Sequence, residues 1–149
     1  MSYLRYVPIV CVIGSIVGII SVTQLWIHST PGFDWTQNLS GLDLMNSTLD
    51  GFQKYMPIVV CVLSVIAAVI AVATMTIRGF WYGIFVCLIF GIAIMVTTTM
   101  FSMWDVDGER IVHFVDTGFW LSYAAGGLIL VGAAVQYSMM FIKPVKSSK

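Results

Sequence analysis

The residues of this sequence best suited to chemistry are acidic ones in a short polar loop of its second half. The run Asp105–Glu109 holds three carboxylates around Gly108, and His113 and Asp116 follow closely. This oxygen density resembles a calcium loop, although the twelve-residue EF-hand pattern and its closing Glu are missing. His28, from another loop, could join them. The pattern leaves two interpretations open, an ordinary solvated acidic loop or a divalent-cation site at Asp105, Asp107, Glu109, His113 and Asp116.

Two asparagines in a second polar loop match the acceptor pattern for N-glycosylation. Asn38 begins Asn-Leu-Ser and Asn46 begins Asn-Ser-Thr. The pattern requires a residue outside the cytoplasm. The sequence therefore marks Asn38 and Asn46 as candidate modification sites if this loop faces outward.

Other chemistry is sparse. No nucleophile–base pair, phosphate-binding loop or nucleotide-binding glycine pattern occurs, so we expect neither an enzyme nor a cofactor. The three cysteines, Cys11, Cys61 and Cys87, lie inside apolar runs, which predicts small, reduced and buried side chains. Positive and negative charges balance at seven each, so nothing points to nucleic acid.

Four long apolar segments must position these loops. The chain is 59% hydrophobic and 9% charged, whereas a soluble domain is roughly 45–50% apolar and about 25% charged. A membrane-spanning helix needs about 20 mostly apolar residues. Segments of that kind cover residues 6–27, 55–77, 80–103 and 119–142, with loops at 28–54 and 104–118. We therefore predict an all-α, single-domain membrane protein, a four-helix antiparallel up-and-down bundle.

Charge placement predicts the orientation. Positive residues near span ends stay in the cytoplasm. Five basic residues lie at the two termini and in the turn between the second and third segments, against two on the other face: Arg5, Arg78, Lys143, Lys146 and Lys149 against Lys54 and Arg110. All seven acidic residues lie on that other face. Both termini are thus predicted to be cytoplasmic and both longer loops to be outside, in a multi-pass protein of the cell membrane.

Aromatic side chains cluster near the predicted span ends, where amphipathic rings favour the membrane interface. They are Tyr6, Trp26, Tyr55, Trp81, Trp104, Trp120 and Tyr137.

Small residues recur along each predicted span at spacings that bring them to one face. Helices in lipid associate largely through close approach at such residues. The candidate packing residues are Gly14, Gly18, Ala67, Ala71, Gly83, Cys87, Gly91, Ser122 and Gly126. These faces could serve packing within one monomer, self-association or docking on another membrane protein.

The predicted layout, with a larger first outer loop and a smaller second one, resembles that of claudin-like tetraspan proteins. The likeness is one of topology. Trp35 and Gly41–Leu42 match part of the claudin loop pattern, but Asp43 stands where Trp is expected and the loop has no cysteine. Tetraspanins differ more, because their large loop is the second one and is rich in cysteine. The resemblance therefore implies a layout and no family.

Two functions follow as hypotheses. The first is a small non-enzymatic structural or accessory subunit that acts through helix packing and its outer loops. The second is a small transporter or oligomeric channel with an acidic outer mouth, favoured by a short echo between Tyr6–Val10 and Tyr55–Val59. The absence of ionisable residues inside the predicted spans counts against the second.

Overall fold

The chain is mostly helical. The structure, a computed structural model, describes residues 8–34, 36–77, 80 and 82–141. In chain order its elements are α1 (Pro8–Ser21), β1 (Leu25–Ile27), β2 (Leu39–Ser40), α2 (Gly41–Met45), a 3₁₀ turn (Phe52–Tyr55), α3 (Met56–Thr76), α4 (Gly83–Ser102), β3 (Asp105–Val106), β4 (Glu109–Arg110), a second 3₁₀ turn (Ile111–His113) and α5 (Thr117–Phe141).

Three helical segments in the described part of the chain are long and apolar enough to cross a membrane. They are Phe52–Thr76, Gly83–Ser102 and Thr117–Met140. Their length follows from long, mostly apolar sequence, because a segment in lipid must satisfy its backbone hydrogen bonds within itself. Pro57 lies in the first turn of α3, where a missing N–H costs no helix hydrogen bond. The prediction of a mostly helical chain is confirmed, and so is membrane-spanning length and apolarity for these three segments.

The first apolar segment is organised differently from its prediction. Helix α1 ends at Ser21, and the predicted span to Ile27 instead contains a turn and strand β1. The Thr23 hydroxyl and backbone N–H both donate to the Ile20 carbonyl, which tightens that turn. Strand β1 then pairs with β2 and bridges to Val115. Tertiary pairing therefore overrides the apolar pattern at this end of the segment.

The four longer helices contact one another in neighbouring pairs. Helix α1 packs against α3 and α5, and α4 packs against the same two helices. The approach is close where glycines lie: a Cβ added to Gly14 would stand 2.9 Å from the Cβ of Leu128, and one added to Gly126 would stand 2.8 Å from the Cγ of Met95. Backbone contact of this kind depends on the missing side chain.

Every predicted packing residue is buried within the chain. These residues are Gly14, Gly18, Ala67, Ala71, Gly83, Cys87, Gly91, Ser122 and Gly126. The small-residue faces are thus filled by the other helices of the same molecule.

Several predictions concern residues outside the described part of the chain. They include the basic residues predicted to be cytoplasmic, the tight turn at Arg78–Gly79, the start of the first predicted span, the end of the last one, and the rings of Tyr6, Trp35 and Trp81.

The two loop segments, residues 22–34 with 36–55 and residues 103–116, lie together at one end of the helices and are called the loop layer below. Strand β1 joins them. Ile27 forms an antiparallel bridge with Val115, His28 N donates to the Phe114 carbonyl, and Asp116 N donates to the Trp26 carbonyl, both at 3.0 Å. The loop layer is therefore one folded unit, not two independent connections.

An aromatic core lies beneath this bridge. Trp26 is fully buried and its ring meets Phe101 and Phe119 edge to face, with centroids 5.0 and 6.2 Å away. Trp104 is 3% exposed and contacts Phe101. The expectation that Trp26 and Trp104 belong to an interfacial belt is wrong, because both rings pack inside the protein. Trp120, 60% exposed, keeps a position compatible with such a belt.

Candidate functional site

The acidic run in the second loop forms a β-hairpin. Asp105 pairs with Arg110 and Val106 pairs with Glu109, so the turn is Asp107–Gly108. Both turn residues have positive φ, 53° and 83°, as a type I′ turn requires. Asp-Gly between two extended segments is a strong hairpin signal, and it was present in the sequence. The run is therefore a hairpin with an Asp-Gly turn.

The remaining predicted cation ligands do not join it. A helix over residues 109–116 would have placed His113 and Asp116 on one face, but this stretch forms strand β4, a 3₁₀ turn and the bridge at Val115. His113 is exposed beside the ring of Phe114. Within the described residues, no three His, Cys, Asp or Glu side chains come together as a metal site.

One pair from the prediction does meet. The Nδ1 of His28 lies 3.8 Å from the Oδ2 of Asp116, across the junction between the two loops. Both side chains keep substantial solvent exposure, 42% and 31%. A pair at this distance and exposure contributes little to stability.

Asp116 has a second set of partners at the start of α5. Its Oδ1 accepts hydrogen bonds from the backbone N–H and the hydroxyl of Thr117, at 2.6 and 2.9 Å. These donors, with a smaller contribution from a charged His28, hold the pKa of Asp116 below its usual value. The carboxylate is thus ionised at neutral pH and fastens the end of the second loop to α5.

A polar cleft of about 350 Å³ opens in the first loop. Leu39 and Leu49 supply its apolar lining. Its polar lining consists of Asp34, Gln37, Asp43, Asn46, Ser47 and Thr48. Asp43 is positioned by a capping box, in which its carboxylate accepts from the N–H and hydroxyl of Ser40 while its own N–H donates to the Ser40 hydroxyl.

A second cleft of about 300 Å³ adjoins the first, because Thr48 and Leu49 line both. It lies between the two loops and adds Asp50, Asp105 and Asp107 to the lining. None of the described residues lining either cleft is basic. Together the two clefts give this face hydrogen-bond acceptors and negative charge, which suit a cationic or donor-rich surface.

Both candidate glycosylation residues lie on this face. Asn38 and Asn46 are exposed. The Asn38 oxygen accepts a hydrogen bond from Ser29 N at 2.8 Å, and Asn46 follows the last residue of α2 and lines the first cleft. Their exposure fits modification, which remains a prediction.

Polar groups among the helices are occupied locally. Ser15 and Ser64 each donate to the carbonyl four residues earlier, at 2.8 and 2.7 Å. Thr98 and Ser122 also meet each other between α4 and α5 at 3.0 Å. Cys11 and Cys87 are buried and free, whereas Cys61 is partly exposed on α3. The arrangement serves helix packing.

Comparisons with protein-family models, with curated proteins and with solved structures give no match to this chain.

Proposed function

We propose that this chain crosses the cell membrane four times as an antiparallel up-and-down bundle with cytoplasmic termini, and that it acts as a non-enzymatic accessory or assembly subunit. The observation that carries this proposal is the joining of its two loops into one folded layer. Simple connections between helices do not need a shared aromatic core and a strand bridge. A rigid layer at one end of a membrane anchor suits the presentation of a surface to a partner.

The partner contact is assigned to the loop layer for a second reason. The small-residue faces that could have docked another helix are already filled inside the molecule. The clefts at Thr48 are lined by carboxylates and lack basic residues among their described lining. A partner of complementary charge would present a basic segment there.

Photo-crosslinking in native membranes tests this proposal. A photoreactive residue at Thr48, where the clefts meet, should give a discrete adduct, whereas one at Val112, exposed on the same layer, should not. Asp105→Asn should weaken the adduct, and the matched change Glu109→Gln on the same hairpin should leave it intact. Failure of every loop-layer position to form an adduct, together with a discrete adduct from lipid-facing Val69, would overturn it.

The transporter hypothesis makes a different prediction. It requires flux of cations or small solutes into proteoliposomes above that of empty vesicles. Such flux, abolished by changes at the cleft carboxylates, would replace the subunit proposal.

A further inference from the structure

An exposed apolar stripe runs along α3 and starts before that helix does. Its members recur every three or four residues and are each at least 39% exposed: Phe52, Tyr55, Val59, Val62, Ile66 and Val69. This spacing places them on one side of a helix. Phe52–Thr76 is a single segment long and apolar enough to cross a membrane. The lipid-facing surface of α3 therefore extends without interruption into the 3₁₀ turn of the loop layer.

Helix α2 lies at the same height. Gly41 approaches the first turn of α3 so closely that an added Cβ would stand 2.7 Å from the Cβ of Pro57. Leu44 points inward and is fully buried, whereas Leu42 and Met45 are 46% and 38% exposed. Because they are three residues apart, Leu42 and Met45 share one face of this short helix. That apolar face has no cover within the described part of the chain.

We infer that α2 and the turn Phe52–Tyr55 form an interfacial foot, seated at the boundary between headgroups and acyl chains of one leaflet. Its occupant is phospholipid, because the foot continues the surface of α3 that acyl chains must cover. Lys54 lies 5.4 Å from the centre of the Tyr55 ring and reaches the Ser47 carbonyl at 3.4 Å. An amphipathic ring beside a lysine is typical of this membrane depth.

The charges beside the foot indicate which lipid it takes. Asp43 and Asp50 flank the exposed apolar residues and are themselves exposed. Their two carboxylates outnumber the single ammonium group of Lys54 and repel anionic headgroups, so the foot suits a zwitterionic phospholipid such as phosphatidylcholine. The foot would hold the first loop against the membrane while its polar cleft faces water. This inference goes beyond the proposed subunit function and needs no partner.

Depth-dependent fluorescence tests it. A cysteine is introduced at Leu42, Met45 or Phe52 and labelled with NBD. The partly exposed Cys61 is first replaced by Ala, whereas Cys11 and Cys87 stay because they are buried. The matched controls are Asn46→Cys and Thr48→Cys, exposed polar neighbours that line the clefts. In phosphatidylcholine vesicles the first group should emit at shorter wavelength and be quenched several-fold more strongly by brominated acyl chains than the controls.

Three results would overturn the foot. Labels at Leu42 and Met45 that emit as in water would place them outside the lipid. Emission at short wavelength without bromine quenching would mean a protein contact. A signal that disappears on dilution with lipid would identify a second copy of the chain. A thermal melt of each labelled protein establishes that it is folded. A failure to crosslink to a partner would not change the NBD emission or the bromine quenching. The two experiments therefore test the subunit proposal and the foot independently.

Discussion

The indole N–H of Trp26 donates a hydrogen bond of 2.8 Å to the carbonyl oxygen of Ser21, the last residue of α1. This carbonyl lies at the helix end and has no partner within α1, and it also accepts a hydrogen bond from the backbone N–H of Gln24 at 3.2 Å. The Trp26 hydrogen bond fixes where the chain leaves the apolar segment and enters strand β1. Trp26→Phe removes the donor and shrinks a fully buried ring.

We expect Trp26→Phe to lower the free energy of unfolding by about 1–3 kcal/mol, from the lost hydrogen bond and the incompletely filled space. Thermal or denaturant unfolding in mild detergent measures the loss. Trp120→Phe is the control, since that ring is 60% exposed and should change stability little. Equal stability of the Trp26 variant and the parent would show that this bond does not hold the end of α1.

Gly118 permits the position of the same indole. A Cβ there would lie 2.5 Å from the Cδ1 of Trp26 and 2.8 Å from the Ser21 carbonyl oxygen. Gly118→Ala should therefore destabilise the protein by about 1–3 kcal/mol through overpacking. Gly127 is a matched control on α5, because a Cβ there meets nothing within 4 Å. If unfolding shows Gly118→Ala to be no worse than Gly127→Ala, the close approach of Trp26 to α5 is incorrect.

The hydroxyls of Thr98 and Ser122 should be coupled weakly. Each already has an acceptor on its own helix, Ile94 O at 2.9 Å and Phe119 O at 2.6 Å, and each carries a single proton. A double-mutant cycle of Thr98→Val and Ser122→Ala should give a coupling free energy of about 0.6 kcal/mol. This is below about 1.7 kcal/mol, the largest value found for such pairs in membranes. Thr97→Val combined with Ser122→Ala should show no coupling. A coupling free energy above about 1.7 kcal/mol would contradict the argument that each hydroxyl proton is already used by the acceptor on its own helix.

Asp116 should titrate below a free aspartate, and Thr117 should matter more than His28. Thr117→Val removes the hydroxyl donor, so it should raise the pKa of Asp116 more than His28→Gln does. The Thr117 backbone N–H persists in both variants, so the pKa should stay below its usual value in each. Carbon-13 NMR titration of the Asp116 carboxyl group in micelles measures its pKa in each variant and so shows which substitution raises it more. A larger rise in His28→Gln would show that the ion pair dominates.

The lowered pKa of Asp116 determines how its contribution to the free energy of unfolding changes with pH. A carboxylate whose pKa is lower in the folded state stabilises it above the unfolded value of about 3.9, and that contribution is lost as pH falls through the folded pKa. Asp116→Asn should therefore be less stable than the parent at neutral pH, and the difference should vanish in acid. Unfolding midpoints across this range measure it, and a difference that grows in acid would contradict the assignment.

The candidate site shows where interpretation of the sequence fell short. Asp105–Glu109 was interpreted by its oxygen content, although Asp107–Gly108 is also a turn signal. The structure shows the turn. The meeting of His28 and Asp116 was only partly foreseen, because it depends on the pairing of strand β1 with residues far along the chain. The clefts at Thr48 had no sequence signal, since one is a space within the folded first loop and the other a space between the two loops.

The sequence by itself determined that long apolar helices would form, three of them in the described chain of membrane-spanning length, and it identified the small residues that pack between the helices. These properties follow from transfer of apolar side chains into lipid and from backbone hydrogen bonding within a segment, both of which add up locally along the chain. Only the tertiary structure decided that α1 ends at Ser21, that Trp26 and Trp104 are core residues and that the loops fold as one layer. Those outcomes depend on contacts between segments far apart in the sequence. The free energy of such contacts cannot be predicted from a local sequence pattern.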